Sequence, residues 1–182
     1  MKRRFSPLGL LLTLTVVALC LALSWWQWQR AGEKRAWLAD QAAKARSAPV
    51  TLDTALTQTD PQHQPVRVRG ELDNRRSVLL DNRTHQGVAG YYLLTPLRTG
   101  DGRWVLVNRG WLPRGADRRQ LPPAPEVNGP VTVNGAIYVP PDNALVLKDT
   151  PLPENHWPLR VQKVDFAAIG HRLGVELAPF EI

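Results

Sequence analysis

One uninterrupted apolar segment near the N-terminus constrains this chain more than any other feature. No residue from Phe5 to Gln29 carries a charge. An α-helix rises about 1.5 Å per residue, so a segment of this length can cross a hydrocarbon layer ~30 Å thick. The roughly 150 residues that follow are enough for one domain of ordinary size. The chain is therefore predicted to be a membrane-tethered domain, which excludes a purely soluble cytosolic protein, a polytopic transporter and a disulfide-stapled miniprotein.

The far flank of the segment indicates a retained helix rather than a cleaved signal. The apolar core is longer than the about 7–15 residues of a signal sequence. At its end, Trp25-Trp26-Gln27-Trp28 places three indoles where the membrane interface favours them. We predict a membrane helix from roughly Pro7 to Trp28, with a polar continuation to about Ala45. Cys20 lies inside this helix and is interpreted as a small apolar residue.

The start of the chain indicates its orientation and its host membrane. Lys2, Arg3 and Arg4 precede the apolar segment, and only four residues lie before Phe5, without an Arg- and Ser-rich presequence. More basic residues follow the segment than precede it, which opposes export under the positive-inside rule. Long domains, however, translocate largely regardless of their charge. We expect a bacterial inner-membrane protein with a cytoplasmic N-terminus and a periplasmic main domain.

Beyond Gln64 the sequence is typical of short β-strands separated by turns. Apolar and polar residues alternate with period two in the strands predicted at 66–72, 77–80, 90–95, 104–108, 131–138 and 145–147. A short helix is predicted from Leu52 to Thr57. Another is predicted from about Lys163 or Asp165 to Leu173, with Asp165 as a plausible N-cap and Gly174 as C-cap. These elements predict a mainly β fold, with an antiparallel, barrel-like sheet, an N-terminal transmembrane helix and a short C-terminal helix.

The predicted organisation has three parts. Residues 1–29 form the cytoplasmic tail and transmembrane helix, residues 30–64 a juxtamembrane helix and linker, and residues 65–182 the extracytoplasmic β domain. Within the last part, the pattern Val-x-Val-x-Gly ends at Gly70 and again at Gly135. Glycine weakens a strand unless the chain bends or is closely approached there. We interpret both glycines as bulges or corners; coincidence is the alternative.

Charge and composition argue against several classes of function. The formal net charge is +7, but the arginines are scattered and alternate with apolar residues, as on the wet face of a strand. We therefore expect no nucleic-acid partner. The chain has no Gly-x-Ser-x-Gly motif, no cysteine beyond Cys20, no phosphate-binding glycine loop and no histidine pair at helical spacing. We expect neither an enzyme nor a metal site.

Two stretches stand out as candidate binding or structural sites. Trp26, Arg30 and Lys34 recur every four residues and so share one helix face, where an indole and two cations could hold a lipid phosphate or a porphyrin propionate. Ordinary interfacial anchoring is the alternative interpretation. The second stretch is Asn108-Arg109-Gly110-Trp111-Leu112-Pro113, a strand that enters a tight turn. Here Gly110 is predicted to supply a positive φ or a close approach, and Trp111 to belong to the core.

These motifs together make the chain resemble the Surfeit locus protein family, the Surf/Shy cytochrome c oxidase assembly factors. The family's Trp-Gln-x-x-Arg-x-x-x-Lys motif is matched by Trp26, Gln27, Arg30 and Lys34. Its Val-x-Val-x-Gly, Gly-Tyr-x-x-x-Thr-Pro-Leu and Val-Leu-Val-Asn-Arg-Gly-Trp-x-Pro motifs are matched at residues 66–70, 90–97 and 105–113. The similarity covers nearly the whole chain.

The resemblance implies a membrane-anchored assembly factor that assists haem a insertion into oxidase subunit I, binding haem a transiently. Its partners would be subunit I, other assembly factors and membrane lipid. The alternative is a periplasmic interaction scaffold that docks to oxidase subunits without binding haem. Family members return to the membrane through a second helix that carries the histidine proposed as haem ligand. Either this single-pass chain is truncated from a two-pass protein, which we favour, or it is a variant that works without that ligand; no axial ligand is identifiable in it.

The orientation can be tested with a reporter fused after Ile182. Alkaline phosphatase, which is active only outside the cytoplasm, is expected to be active in this fusion, whereas β-galactosidase in the same position is expected to be inactive. The reverse pattern would place the domain in the cytoplasm.

Overall fold

The computed structural model describes residues 6–117, 120–141 and 156–182. The chain divides into two compact units, Met1–Lys44 and Ala45–Ile182. Helix α1, Pro7–Ala45, makes up nearly all of the described part of the first unit, so the predicted membrane helix and its polar continuation form one element. No residue of α1 is buried. By length and composition it is long and apolar enough to cross a membrane, with a mean hydropathy of 2.3 over 18 residues.

In its described residues, the second unit contains a seven-stranded sheet and two short helices. Its helices are α2, Leu52–Thr57, and α3, Phe166–Leu173, and a 3-10 turn spans Asn74–Arg76. The strands are β1 Pro65–Leu72, β2 Val78–His85, β3 Val88–Thr99, β4 Trp104–Pro113, β5 Pro130–Ala136, β6 Leu159–Val161 and β7 Leu177–Glu181. The predicted mainly β fold is confirmed.

The twelve-residue strand β3 organises the sheet. β4 pairs with it from Gly90 to Arg98. β2 pairs with the first part of β3, and β1 pairs with its last three residues. Because β4 overlaps both of these regions, β1 and β2 must share the opposite edge of β3. The strand order is β5-β1-β3-β2-β6, with β4 and then β7 joined on the other side of β3.

Five of the strands pair antiparallel, as predicted. The other two strands differ from the prediction in their direction. β6 and β7 pair in parallel with β2 and β4, respectively. β6 has three residues, too few for a period-two pattern to be recognised. Within the residues that the structure describes, the sheet is not closed into a barrel, because β5 and β7 are joined only by an isolated bridge between Tyr138, which follows β5, and Glu181. The strand predicted at 145–147 lies outside the described residues.

The core forms on both faces of the sheet. On one face, Leu52 and Ala55 of α2 pack with apolar residues of β1, β4 and β7. On the other, Ile169 and Leu173 of α3 pack against β2, β3 and β4. The predicted caps of α3 are confirmed: Ala168 N donates to Asp165 Oδ1 over 2.9 Å, and Gly174 adopts φ +70°.

The predicted bulges at Gly70 and Gly135 are wrong, because β1 and β5 pair in continuous register through both glycines. Close approach is the reason for glycine here. A Cβ on Gly70 would meet the Arg98 carbonyl and lie 2.7 Å from Leu97 Cδ2. A Cβ on Gly135 would lie 2.7 Å from Ile182 Cγ2.

Gly70→Ala is expected to destabilise the fold, because the clash involves a carbonyl of the paired strand that cannot rotate away. Overpacking of this kind costs about 1–3 kcal/mol. The control is Gly100→Ala, where a Cβ meets nothing within 4 Å. Denaturant unfolding of the detergent-solubilised chains measures both; equal stability of the two variants would contradict the close-approach explanation.

Candidate functional site

The helix-face residues singled out from the sequence lie in the exposed polar half of α1. Trp26 is 52% exposed, and the Arg30 guanidinium lies 6.0 Å from the centre of its ring. Arg30 also lies 3.9 Å from Glu33, a partner that sequence reasoning did not include. Gln27 and Lys34 belong to the same helix. The arrangement presents an indole and cations to the surroundings of the helix, which is suited to an anionic group.

The Asn108–Trp111 stretch forms a bulge in β4. Leu94 pairs with Asn108 and Tyr92 pairs with Trp111, so two residues of β4 lie opposite one of β3. Gly110 adopts φ +103°, which confirms the predicted positive φ. Asn108 Oδ1 accepts a 3.1 Å hydrogen bond from Gly110 N and so holds the bulge from within.

Trp111 is half-buried rather than a full core residue. Its Nε1 donates a 3.0 Å hydrogen bond to the Arg83 carbonyl, and its ring centre lies 5.4 Å from that of His85. A Cβ on Gly90 would lie 2.5 Å from Trp111 Cε2, so the indole packs directly on the glycine of the neighbouring strand. Pro113, opposite Gly90, ends β4. Trp111 therefore ties the bulge to β2 and β3.

The same bulge positions a buried carboxyl group that sequence reasoning missed. Glu181 is only 4% exposed, and its Oε1 accepts a 3.2 Å hydrogen bond from Asn108 Nδ2. Its Oε2 and the Nε of Arg83 are both buried, and neither has a hydrogen-bond partner among the described residues. Burial raises the pKa of Glu181, while the Asn108 hydrogen bond and the charge of Arg83 oppose that rise.

Arg109 points to a different neighbourhood. Its Nη1 lies 3.5 Å from Asn74 Oδ1, at the long limit of a hydrogen bond. The Asn74 side chain forms two hydrogen bonds with the backbone of Val127. Its Nδ2 donates to Val127 O over 2.9 Å, and its Oδ1 accepts from Val127 N over 3.2 Å. Burial lowers the pKa of Arg109. Arg109 therefore contacts the residue that binds the backbone of Val127, and not Val127 itself.

Asn74 also lines an open groove of about 890 Å³. By strand register, Glu71 lies opposite Arg98 and Arg98 opposite Trp104, so these three residues form a row across β1, β3 and β4. Arg69, Arg75, Glu126 and Asn128 also line the groove. Sequence reasoning assigned these arginines to solvated strand faces, because the register that brings them together is not readable from one strand at a time.

The described residues offer no evident metal centre. No group of three or more His, Cys, Asp and Glu side chains among them could hold a metal ion. The predicted site residues of the second unit thus lie mainly at two sites. One is the bulge next to Glu181. The other is the groove, which Gly70 lines and whose lining residue Asn74 is contacted by Arg109. Gly135 lies near Ile182 and lines neither.

Comparison with known proteins identifies relatives along most of the chain. The family model "SURF1 family" matches residues 14–182. A SURF1-like protein of Rickettsia felis is 32% identical over 108 residues, which are 58% of this chain and 46% of the relative. Surfeit locus protein 1 of Homo sapiens is 26% identical over 180 residues, 90% of this chain and 59% of the relative. The chain thus spans about half the length of these relatives.

Glu181→Gln is expected to stabilise the fold at neutral and higher pH. Because the pKa of Glu181 is raised in the folded state, folding favours the protonated form, and the free energy of unfolding falls as pH rises from about 4 through the raised pKa. Glutamine keeps an oxygen for Asn108 and removes the charge. The melting temperature of the variant should exceed that of the wild type above this range and converge with it in acid.

The control for this comparison is Glu176→Gln, which changes an exposed carboxylate just before β7. Its effect on the melting temperature is expected to be small at every pH. If Glu181→Gln lowers the melting temperature at pH 8, the ionised carboxylate is instead held by Arg83, and the interpretation of a costly buried charge fails.

Proposed function

The chain belongs to the SURF1 family, and we propose that it is a membrane-anchored assembly factor for cytochrome c oxidase that assists the insertion of haem a into subunit I. The observation that carries this proposal is the match over residues 14–182, which includes α1 from residue 14 onward together with the sheet domain. The ordered motifs between residues 26 and 113 support it. The chain spans about half the length of its relatives, so this activity of the whole protein is a proposal for the chain.

The anchoring part of the proposal is supported by α1. Its N-terminal part is uncharged and its described residues are exposed, as suits a helix surrounded by lipid. Trp26 and Arg30 follow the apolar segment, where indoles and basic residues meet the lipid headgroups. We place this helix in a bacterial inner membrane, with the sheet domain on the periplasmic side.

In the proposed role, the protein holds haem a and delivers it to subunit I without catalysing a reaction. Trp26, Arg30 and Lys34 would contact an anionic group, either a lipid phosphate or a haem propionate. The bulge in β4 would fix the geometry of the sheet surface that contacts a partner; it is formed by Asn108, Arg109, Gly110 and Trp111. Subunit I and other assembly factors are the proposed partners.

A deletion strain that lacks other family members is expected to lose haem a from its oxidase and to lose oxidase activity. The measurements are the haem a absorbance of isolated membranes and oxygen consumption with reduced cytochrome c. Restoration by the complete gene is the control. Normal haem a content and normal activity in the deletion strain would contradict the assembly function.

Titration of the full-length protein with haem separates carrying from scaffolding. A haem carrier shifts the Soret band on binding, whereas a scaffold that docks to oxidase subunits leaves the haem spectrum unchanged. Loss of oxidase in the deletion strain together with an unchanged spectrum would favour the scaffold.

A further inference from the structure

Strand β7 ends on a carboxyl group that the sheet encloses. Glu181 is 4% exposed, and its Oε2 is buried without a hydrogen-bond partner among the described residues. Its Oε1 accepts one hydrogen bond, from Asn108 Nδ2 over 3.2 Å. Burying an ionised carboxylate is costly unless it is paired and its oxygens are hydrogen-bonded. This site therefore suits the neutral carboxyl group better than the ion.

Glu181 lies between two neighbours in the sheet. Leu106 of β4 is opposite it on one side, and Tyr138, in the segment after β5, is opposite it on the other. Leu106 is fully buried in the cluster that α3 covers, whereas Tyr138 is 43% exposed. Water is therefore nearest on the Tyr138 side. The Glu181 side chain reaches it most directly when the bridge to Tyr138 opens.

Backbone hydrogen bonds attach the last two residues of the chain on both sides. Ile182 N donates to Leu106 O over 3.0 Å, and Ile182 O accepts from Asn108 N over 2.8 Å. Glu181 N donates to Tyr138 O over 3.0 Å, and Glu181 O accepts from Tyr138 N over 2.8 Å. A strand end held by a few such bonds can open locally while the rest of the domain stays folded.

The elements around Glu181 contribute several charged or titratable groups. Burial raises the pKa of Glu181, while the hydrogen bond from Asn108 of β4 and the charge of Arg83 of β2 oppose that rise. The α3 helix packs with β7 at Leu177, about 13 Å along the strand from Glu181. The other such groups on these elements are His85 of β2, His63 and Tyr138 on the β5 side, His171 and Arg172 of α3, and the terminal carboxylate of Ile182.

We propose that Glu181 is a pH-sensitive latch for β7. With its carboxyl group neutral, the end of β7 is docked between β4 and Tyr138; ionisation releases this end from both neighbours. Release leaves backbone groups of Leu106, Asn108 and Tyr138 unpaired, and such a sheet edge can be joined by another chain. The latch thus covers this edge at lower pH and makes it available at higher pH. It goes beyond the assembly function and does not depend on it.

The test measures amide hydrogen exchange of the full chain in detergent micelles by NMR, with rates corrected for the intrinsic pH dependence of exchange. The reporters are the amides of Asn108, Tyr138, Glu181 and Ile182, which all bond across the end of β7. Their protection is expected to fall about tenfold per pH unit from about pH 4.3 up to the raised pKa of Glu181, and then to level off. The reason is that opening restores the ordinary acidity of the carboxyl group.

Two controls isolate the latch. The amide of Ile137 is next to Tyr138 but donates to Gln64 O rather than to β7. It is expected to be more protected than the four reporters at every pH, because β7 opens while β5 stays paired. Glu181→Gln keeps an oxygen for Asn108 and removes the titrating group, so the fall is expected to disappear. The histidines around the site are unchanged in this variant.

A second pair of variants tests the direction of the charge effect. Arg83→Gln removes the cation that favours the ionised carboxylate, so the fall is expected to continue to higher pH than in the wild type. Arg69→Gln removes the same charge from an exposed residue of β1 and is expected to behave as the wild type. A fall that ends at the same pH in Arg83→Gln as in the wild type contradicts the charge effect assigned to Arg83.

Three results would overturn the latch. Reporter protection that does not change with pH means that the carboxylate reaches water by side-chain rotation alone. The same fall in Glu181→Gln assigns the pH dependence to another group. Protection of the reporters equal to that of Ile137 means that β7 opens only together with the whole domain. Each of these leaves the assembly function standing, because the deletion strain tests that function separately.

Discussion

The pairing of β3 on both of its edges is the constraint on which the rest of the sheet domain depends. β4 covers one edge, and β2 and β1 divide the other. Side chains alternate along each strand, so Trp104, Leu106 and Asn108 of β4 share one face. On that face the groove lies at the Trp104 end, the buried Glu181 at the Asn108 end, and an apolar cluster covered by α3 between them.

The bulge explains why the most specific motif of the sequence has its particular residues. Two residues of β4 are accommodated opposite one of β3, and this requires the positive φ of Gly110. The Asn108 side chain then serves two partners, the amide of Gly110 and the carboxyl of Glu181. An aspartate at 108 could accept from Gly110 but could not donate to an ionised Glu181. The motif therefore stabilises the bulge in β4 and helps to hold β7 against the sheet.

Local features of the fold were predictable from the sequence and long-range ones were not. The caps of α3, the length of α1 and the positive φ of Gly110 depend on a few neighbouring residues, and the structure agrees with each. The parallel strands β6 and β7 and the row from Glu71 to Trp104 depend on register between distant segments. One strand's alternation gives its exposed face, but not which exposed residues of other strands lie beside it.

The two units use the same pair of groups, an arginine over an indole, in different surroundings. Arg30 lies over Trp26 on a helix that has no buried residue, with Glu33 nearby. Ion pairs between such exposed charges are weak and easily screened. Anionic headgroups at a membrane surface are abundant enough to be attracted by a weak site. Arg76 over Trp104 is instead fixed by Asp73 at the wall of a concave groove. Because Asp73 and the Leu173 carbonyl already hold Arg76, this second pair is a fixed part of the sheet domain rather than a free binding group.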